Sequence, residues 1–237
     1  ISAAEPAFWW YRGMREILFD TLDRFSTGRQ IRRALDAGCG TGSIAEAITH
    51  RYGWQVIGLD ASPVTLQWLS RRRMLAVLGD ARALPLPNRS CEVVVSLDLL
   101  VHLTPGQESA VLSGFGRVLR PGGLLIVRAA AFSWLRSRHS AFIGESQRFT
   151  RSQLVRLATQ SGFQAHYCTY LNTVALPLAL AKFRLWEPLF DPSPSTGVAP
   201  LPAWINSLLL AGLRLERRWL RWGYRLPVGQ SILLVAE

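Results

Sequence analysis

The residues with the clearest chemistry sit early in the chain and converge on a nucleotide. Leu35-Asp36-Ala37-Gly38-Cys39-Gly40-Thr41-Gly42 places three glycines at alternate positions. Glycines there permit a tight turn and let a ligand approach the backbone closely. A dinucleotide fingerprint, G-x-G-x-x-G, needs Gly at position 43, where this chain has Ser43, and there is no Walker A lysine. Asp60 lies 20 residues after Gly40 in Gly58-Leu59-Asp60-Ala61-Ser62, where a carboxylate can accept both ribose hydroxyls. The plainer alternative is a helix-capping or solvated loop aspartate. Asp80, in Gly79-Asp80-Ala81, can accept from the exocyclic amine of adenine while the Ala81 N–H donates to the ring. Its alternative is an ordinary turn aspartate.

Strand ends must carry these groups. Short apolar runs end at or near each of them: Arg32 to Asp36, Trp54 to Leu59, Met74 to Leu78 and Glu92 to Leu97, with Leu124 to Val127 as a fifth strand. Helices are expected between them, one after the glycine turn through His50, one from Ser62 (N-cap) and Pro63 (first position), and one over Pro105 to Leu119. Continuous apolar runs alternating with helices require a parallel sheet covered on both faces. Ligands of such sheets sit outside the carboxyl ends of the strands. A helix capped by Thr150 runs to about Ser161, and a strand spans Gln164 to Leu171. The alternation then breaks: an apolar stretch (Val174 to Phe190), a Pro/Ser-rich segment (Pro192 to Pro202) and a helix (Ala203 to Trp222) precede a last strand, Ser231 to Ala236. The expected division of one domain is a helical cap over 1–30, a Rossmann-like α/β core over 31–171, a helical insertion or lid over 172–224 and a final strand over 225–237.

Taken in order, these motifs, with Leu84-Pro85-Leu86 and Leu119-Arg120-Pro121-Gly122-Gly123, resemble the class I S-adenosylmethionine (SAM)-dependent methyltransferases over about residues 31–130. The resemblance implies a seven-stranded Rossmann-like sheet, mostly parallel with the last strand antiparallel. It also implies SAM as cofactor, S-adenosylhomocysteine as product and no metal. Asp36 and the turn of Gly38, Cys39, Gly40, Thr41 and Gly42 would hold the methionine moiety. Asp60, followed by Ala61 and Ser62, would hold the ribose, and Asp80 with Ala81 the adenine. The loop from Ser96 to His102 borders the methyl-transfer site in the family, which adds Leu97 and Asp98 to the cofactor residues. Phe8-Trp9-Trp10-Tyr11-Arg12, Arg148-Phe149-Thr150, Tyr170-Leu171-Asn172 and Leu226-Pro227-Val228-Gly229-Gln230-Ser231 resemble a narrower bacterial group whose substrates are mostly unassigned.

A sulfonium methyl is already activated, so the protein must align the acceptor and exclude water. A hydroxyl or protonated amine also needs a base, for which His is the usual choice. His139 and His102 are the candidates. His139 stands among Arg136, Arg138 and Arg148, cations that favour a neutral ring. His50, at a helix end, and His166, in a strand, read as structural. Trp9, Tyr11, Arg12, His139, Arg148, Tyr170 and Asn172 are the expected substrate contacts. The aromatic run at Phe8–Tyr11 serves equally well as a cap over the site or as a staple to the sheet.

Composition bounds the rest. The chain has 237 residues, 49% hydrophobic and 18% charged, with a net charge of +11 carried almost wholly by arginine. Three separated cysteines without metal spacing fit free thiols in a reducing, cytoplasmic setting. No stretch reaches the roughly 18–20 apolar residues of a membrane span, and Ile1 to Tyr11 has no signal-peptide pattern. The expected reaction is O- or N-methylation of a small, hydrophobic or natural-product-like acceptor by a monomer or homodimer. The alternatives are RNA methylation, against which stands the lack of an Asn-Pro-Pro-Tyr-type motif or RNA-binding domain, and SAM binding without catalysis. Arg214, Arg217, Arg218 and Arg221 recur at helical spacing. They suit either a lid helix with solvated arginines or peripheral contact with an anionic membrane.

Overall fold

The computed structural model describes residues 7–182 and 201–237. The apolar stretch beyond Lys182 and most of the Pro/Ser-rich segment lie outside the described residues.

Seven strands form one sheet in the order β3-β2-β1-β4-β5-β7-β6. They are β1 (Arg33–Ala37), β2 (Gln55–Asp60), β3 (Leu75–Leu78), β4 (Cys91–Leu97), β5 (Leu119–Ala130), β6 (Ala165–Leu171) and β7 (Ser231–Ala236). β1 to β5 pair in parallel, and β7 runs antiparallel to both of its neighbours, β5 and β6. The strand order reverses between β1 and β4, which opens a crevice at their carboxyl ends. The expected fold class is the observed one.

β5 is longer than the expected Leu124–Val127. Leu119 already pairs with Cys91, and the register shifts before Leu124 meets Val93. The Pro121-Gly122-Gly123 segment is absorbed as an irregularity because Gly122 takes φ +73°.

The helices are α1 (Trp9–Ser26), α2 (Ser43–Tyr52), α3 (Pro63–Arg71), α4 (Glu108–Val118), α5 (Arg138–Phe142), α6 (Arg151–Gln160), α7 (Leu176–Leu180) and α8 (Ala203–Arg221). The central strands feed two apolar layers because alternate side chains point to opposite faces. Val93, Val95, Leu124 and Ile126 pack with α1, α2 and α8. Val94, Leu125 and Val127 pack with α4 and α6. Thr150 caps α6 in a reciprocal box with Gln153. Ser62 does not cap α3 with its side chain; its backbone N–H donates to Asp60 Oδ1 instead.

α8 lies along α1. A Cβ on Gly13 would stand 2.3 Å from Leu213 Cδ1, so the glycine sets the approach. Leu210, Leu213 and Leu220 are buried there with Met14, Ile17 and Leu18. Arg214 and Arg217 pair with Glu16, and Arg217 with Asp20. Each buried leucine is worth roughly 2 kcal/mol, whereas a half-exposed ion pair is worth about 0.5 kcal/mol. Apolar burial holds the helix and the ion pairs fix its rotation.

Candidate active site

The glycine turn is built by its neighbours. Gly38 and Cys39 donate backbone N–H groups to Leu59 O, tying the turn to β2. Gly38, Gly40 and Gly42 all have positive φ. A Cβ on Gly42 would stand 2.3 Å from Leu69 of α3, whereas one on Gly40 would meet nothing within 4 Å. Gly42 is therefore required for packing, and Gly40 leaves open space above the turn. Arg72, just beyond α3, donates to Thr41 O and to Glu46. Asp60 accepts the Gly40 N–H at 2.9 Å through Oδ2, while Oδ1 holds Ser62. Its carboxylate thus fixes the turn, with lone pairs to spare for a ribose.

Asp36 ends β1 beneath this turn, 2% exposed, and its Oδ2 has no hydrogen-bond partner. Burial, helped by the Asp60 carboxylate, pushes its pKa up to about 7, against the opposing pull of the Ala45 N–H and Arg128. A buried, unpartnered carboxylate oxygen is costly unless a cationic donor comes to it. Asp36 and the turn line a cavity of about 190 Å³ together with Trp10, Tyr11, Met14, Arg15, Leu97 and Arg128. Asp60, Asp80 and Ala81 are not in its lining. Asp80 accepts from the Arg82 backbone N–H and guanidinium, which holds its carboxyl below the usual range. An adenine amine there would share an oxygen already engaged.

A second, larger cavity of about 480 Å³ adjoins the first, and Trp10 and Tyr11 line both. Between them stand Asp98, at φ +61°, and Arg128, whose Nη2 and Nε reach Asp98 Oδ2 at 2.5 and 3.2 Å. The Arg128 guanidinium lies 4.8 Å over the Trp10 ring. The larger cavity is walled mainly by apolar groups of α1, α7 and α8, such as Phe8, Trp9, Ala175, Ile205 and Leu209. Its polar groups are few: His139, Glu145, Arg148, Asn172, Lys182, Gln230 and Ser231 among them. A greasy wall with a few convergent polar groups is the usual form of a small-molecule site.

Asn172 is the most informative of these. It is 2% exposed, holds φ +61°, and its Oδ1 is buried without a partner. Glu216 of α8, also buried, accepts the Asn172 and Thr173 backbone N–H groups at 2.5 and 2.8 Å. These bonds oppose the upward push of burial on the Glu216 carboxyl. Glu216 therefore reaches across 44 positions of sequence to hold Asn172 in its left-handed conformation. The close passage of Gly229, whose Cβ would stand 2.3 Å from Leu171 O, brings Gln230 and Ser231 to the same wall.

The structure brings together Trp9, Tyr11, Asp98, His139, Arg148 and Asn172 around the larger cavity. Arg148 also bonds Ser140 and pairs with Glu145 at 2.5 Å, so the surroundings of His139 include a carboxylate as well as cations. Three of the expected catalytic and substrate residues stay outside both cavities. His102 is exposed, its Nδ1 3.4 Å from Gly144 O, because Val101 and Leu103 on either side turn inward. Arg12 lies about 100° around α1 from Tyr11; Arg15, one turn beyond Tyr11, lines the smaller cavity in its place. Tyr170 stacks on Phe132 at 4.9 Å, and its hydroxyl accepts the Arg151 N–H, which makes it a packing residue. Arg15, Arg128, Lys182 and Glu145 are site residues the sequence did not single out; a lone arginine in the apolar run Leu124 to Ala130 was the available signal for Arg128.

Residues 34–123, which include the glycine turn, Asp60 and Asp80, match the methyltransferase domain family. Over that stretch the chain carries a methyltransferase domain. The chain is 35% identical over 126 residues to a Mycolicibacterium smegmatis protein named a probable S-adenosylmethionine-dependent methyltransferase, covering 52% of this chain and 46% of that one. It is 36% identical over 115 residues to the malonyl-[acyl-carrier protein] O-methyltransferase of Xylella fastidiosa, covering 46% and 38%. The chain thus spans less than half the length of these curated relatives. In fold it is similar to the geranyl diphosphate C-methyltransferase of Streptomyces coelicolor, with a TM-score of 0.64 at 15% identity, over 96% of this chain and 77% of that one. Among the described residues no helix is long and apolar enough to cross a membrane, and no three His, Cys, Asp or Glu side chains are grouped to hold a metal.

Proposed function

We propose that the chain moves a methyl group from SAM to a small, hydrophobic acceptor at oxygen or nitrogen, by in-line displacement, in the cytoplasm and in contact with a membrane face. The observation that carries this reading is the pair of adjoining cavities, a small one over the glycine turn and a larger apolar one, which share Trp10 and Tyr11.

The residues present fit the cofactor. The unpartnered Asp36 Oδ2 suits the ammonium of its methionine end, and Arg15 suits the carboxylate. Open space above Gly40 leaves room for a ligand against the backbone. SAM supplies an activated methyl on sulfur. Trp10 and Tyr11 cover the junction of the cavities and exclude water. The Asn172 Oδ1 accepts an O–H or N–H of the acceptor, which orients the nucleophilic lone pair. His139, in the same cavity, takes the proton released as the new bond forms.

The relatives differ in what they methylate, oxygen in the Xylella fastidiosa protein and carbon in the Streptomyces coelicolor one. The choice of O or N rests on Asn172 and His139. An RNA acceptor is disfavoured by the apolar wall and by the engagement of Arg214 and Arg217 with acids of α1.

Calorimetric titration of SAM and S-adenosylhomocysteine into wild type, Gly40→Ala and Arg15→Ala tests the cofactor half. Micromolar binding lost in Gly40→Ala and weakened at least tenfold in Arg15→Ala supports it. Binding unchanged in both variants, or absent from folded wild type, overturns it. Transfer of labelled methyl to a panel of apolar alcohols, phenols and amines tests the rest.

A further inference from the structure

One face of α8 is unaccounted for by the site. Trp204, Leu208, Leu215, Trp219 and Trp222 follow one another at intervals of 4, 7, 4 and 3 residues, which keeps them on one side of the helix. They are 46–72% exposed, while the opposite side buries Leu210, Leu213, Glu216 and Leu220. The stripe runs the length of a 19-residue helix, about 28 Å. It does not end at α8: a Cβ on Gly212 would stand 2.8 Å from Val174, itself exposed, and Leu178 of α7 continues the patch. Leu178 and Leu201 are exposed and also line the larger cavity, so the patch reaches the cavity mouth.

The charged residues on the exposed side of α8 are all arginines. Arg214 and Arg217 turn toward acids of α1. Arg218, exposed, borders the stripe, and Arg225 stands just past its end. Among the described residues no carboxylate lies within ion-pair distance of either. The one acid on the helix, Glu216, is buried and occupied.

We infer that this face of α8 lies in the headgroup region of an anionic bilayer, with the indoles and leucines in the interface and the arginines on lipid phosphates. The occupant is a lipid surface because an extended stripe of tryptophan and leucine beside arginines without a carboxylate partner, on a helix with no exposed acid, has the composition that such a surface binds. A net charge of +11 adds long-range attraction. Bilayer binding stands independently of methyl transfer. One consequence does rest on the methyl-transfer reading: the acceptor is a bilayer-dissolved molecule that enters beside Leu178 and Leu201.

Vesicle flotation of the full chain tests the inference, using phosphatidylcholine alone and phosphatidylcholine with phosphatidylglycerol. The chain is expected to float with the anionic vesicles and to be released by salt. Trp204→Ala/Trp222→Ala, at exposed positions outside both cavities, is expected to lower the bound fraction about tenfold, and Arg218→Glu/Arg225→Glu to abolish it at moderate salt. SAM titration into the same variants is expected to be unchanged, which separates this result from failure of the cofactor reading. No flotation of wild type, or equal flotation of the tryptophan variant, overturns the inference. So does a self-associated wild type that becomes monomeric in the tryptophan variant without either binding vesicles.

Discussion

Asp98 and Arg128 form an ion pair at the boundary of the two cavities: Asp98 lines the larger one, Arg128 the smaller. Each comes from the carboxyl end of a central strand, β4 or β5, and Trp10 of α1 covers the guanidinium. The pair therefore fixes where the cap helix meets the sheet and how far the cavities communicate.

Arg128→Met tests that placement. It leaves Asp98, about a third exposed, without its partner and removes the cation beneath Trp10. Urea denaturation is expected to show a loss of about 2 kcal/mol. Calorimetry is expected to show weaker SAM binding, since α1 carries Tyr11 and Arg15 to the same cavity. Wild-type stability in Arg128→Met would show that the pair orders nothing.

Asp36 gives the ligand-free protein a pH signature. Its folded pKa, about 7, lies above the ordinary aspartate value of 3.8, so the folded state holds the proton more tightly. The stability this gives is fully present below pH 3.8 and is lost as pH rises through about 7. Asp36→Asn should therefore raise ligand-free stability above pH 7 by ~1 kcal/mol while destroying SAM affinity. An ammonium docked on the carboxylate drives the proton off. Titrations of wild type at about pH 6.5 in buffers of different ionisation enthalpy should thus report proton release on binding, and buffer-independent heats would contradict it.

The glycines of the turn should separate into two classes. Gly40→Ala strains only the backbone, at φ +51°, and should cost about 1–2 kcal/mol while blocking the ligand. Gly42→Ala adds a collision with Leu69 to its own positive φ and should cost about 3 kcal/mol or more. Equal melting temperatures for the two variants would contradict the packing of α3 on the turn.

His139 and His102 should behave oppositely. His139→Ala is expected to slow turnover by about 100-fold with SAM affinity retained. His102→Ala, at an exposed position outside both cavities, should leave rate and affinity within twofold of wild type, roughly. Single-turnover methyl transfer on a responsive acceptor decides between them.

How much of this could be read from the sequence depended on how locally each feature is encoded. That Asp36 and Asp60 lie beside the Gly38–Gly42 turn is legible in the sequence because two neighbouring strand ends and one turn place all of them. The aromatic run marks its neighbour Arg12, whereas only the phase of α1 shows that Arg15 faces the turn. Glu216 stands in sequence between Arg214 and Arg217, and its burial against Asn172 is a tertiary fact without a local signal. Tyr170 and Asn172 were equal candidates by proximity, yet Phe132 claims one ring and the cavity receives the other side chain.

The position of β7 has a consequence for how the chain is made. Residues 231–236 come last of the seven strands but fill the gap between β5 and β6, pairing with both. During synthesis β5 and β6 therefore wait with unpaired backbone edges and apolar faces until residues 231–236 emerge. A sheet completed by its latest segment folds slowly and is open to edge-to-edge capture by neighbouring chains. Loss or delayed release of residues 231–236 would leave not a slightly shortened domain but a split sheet with two sticky edges.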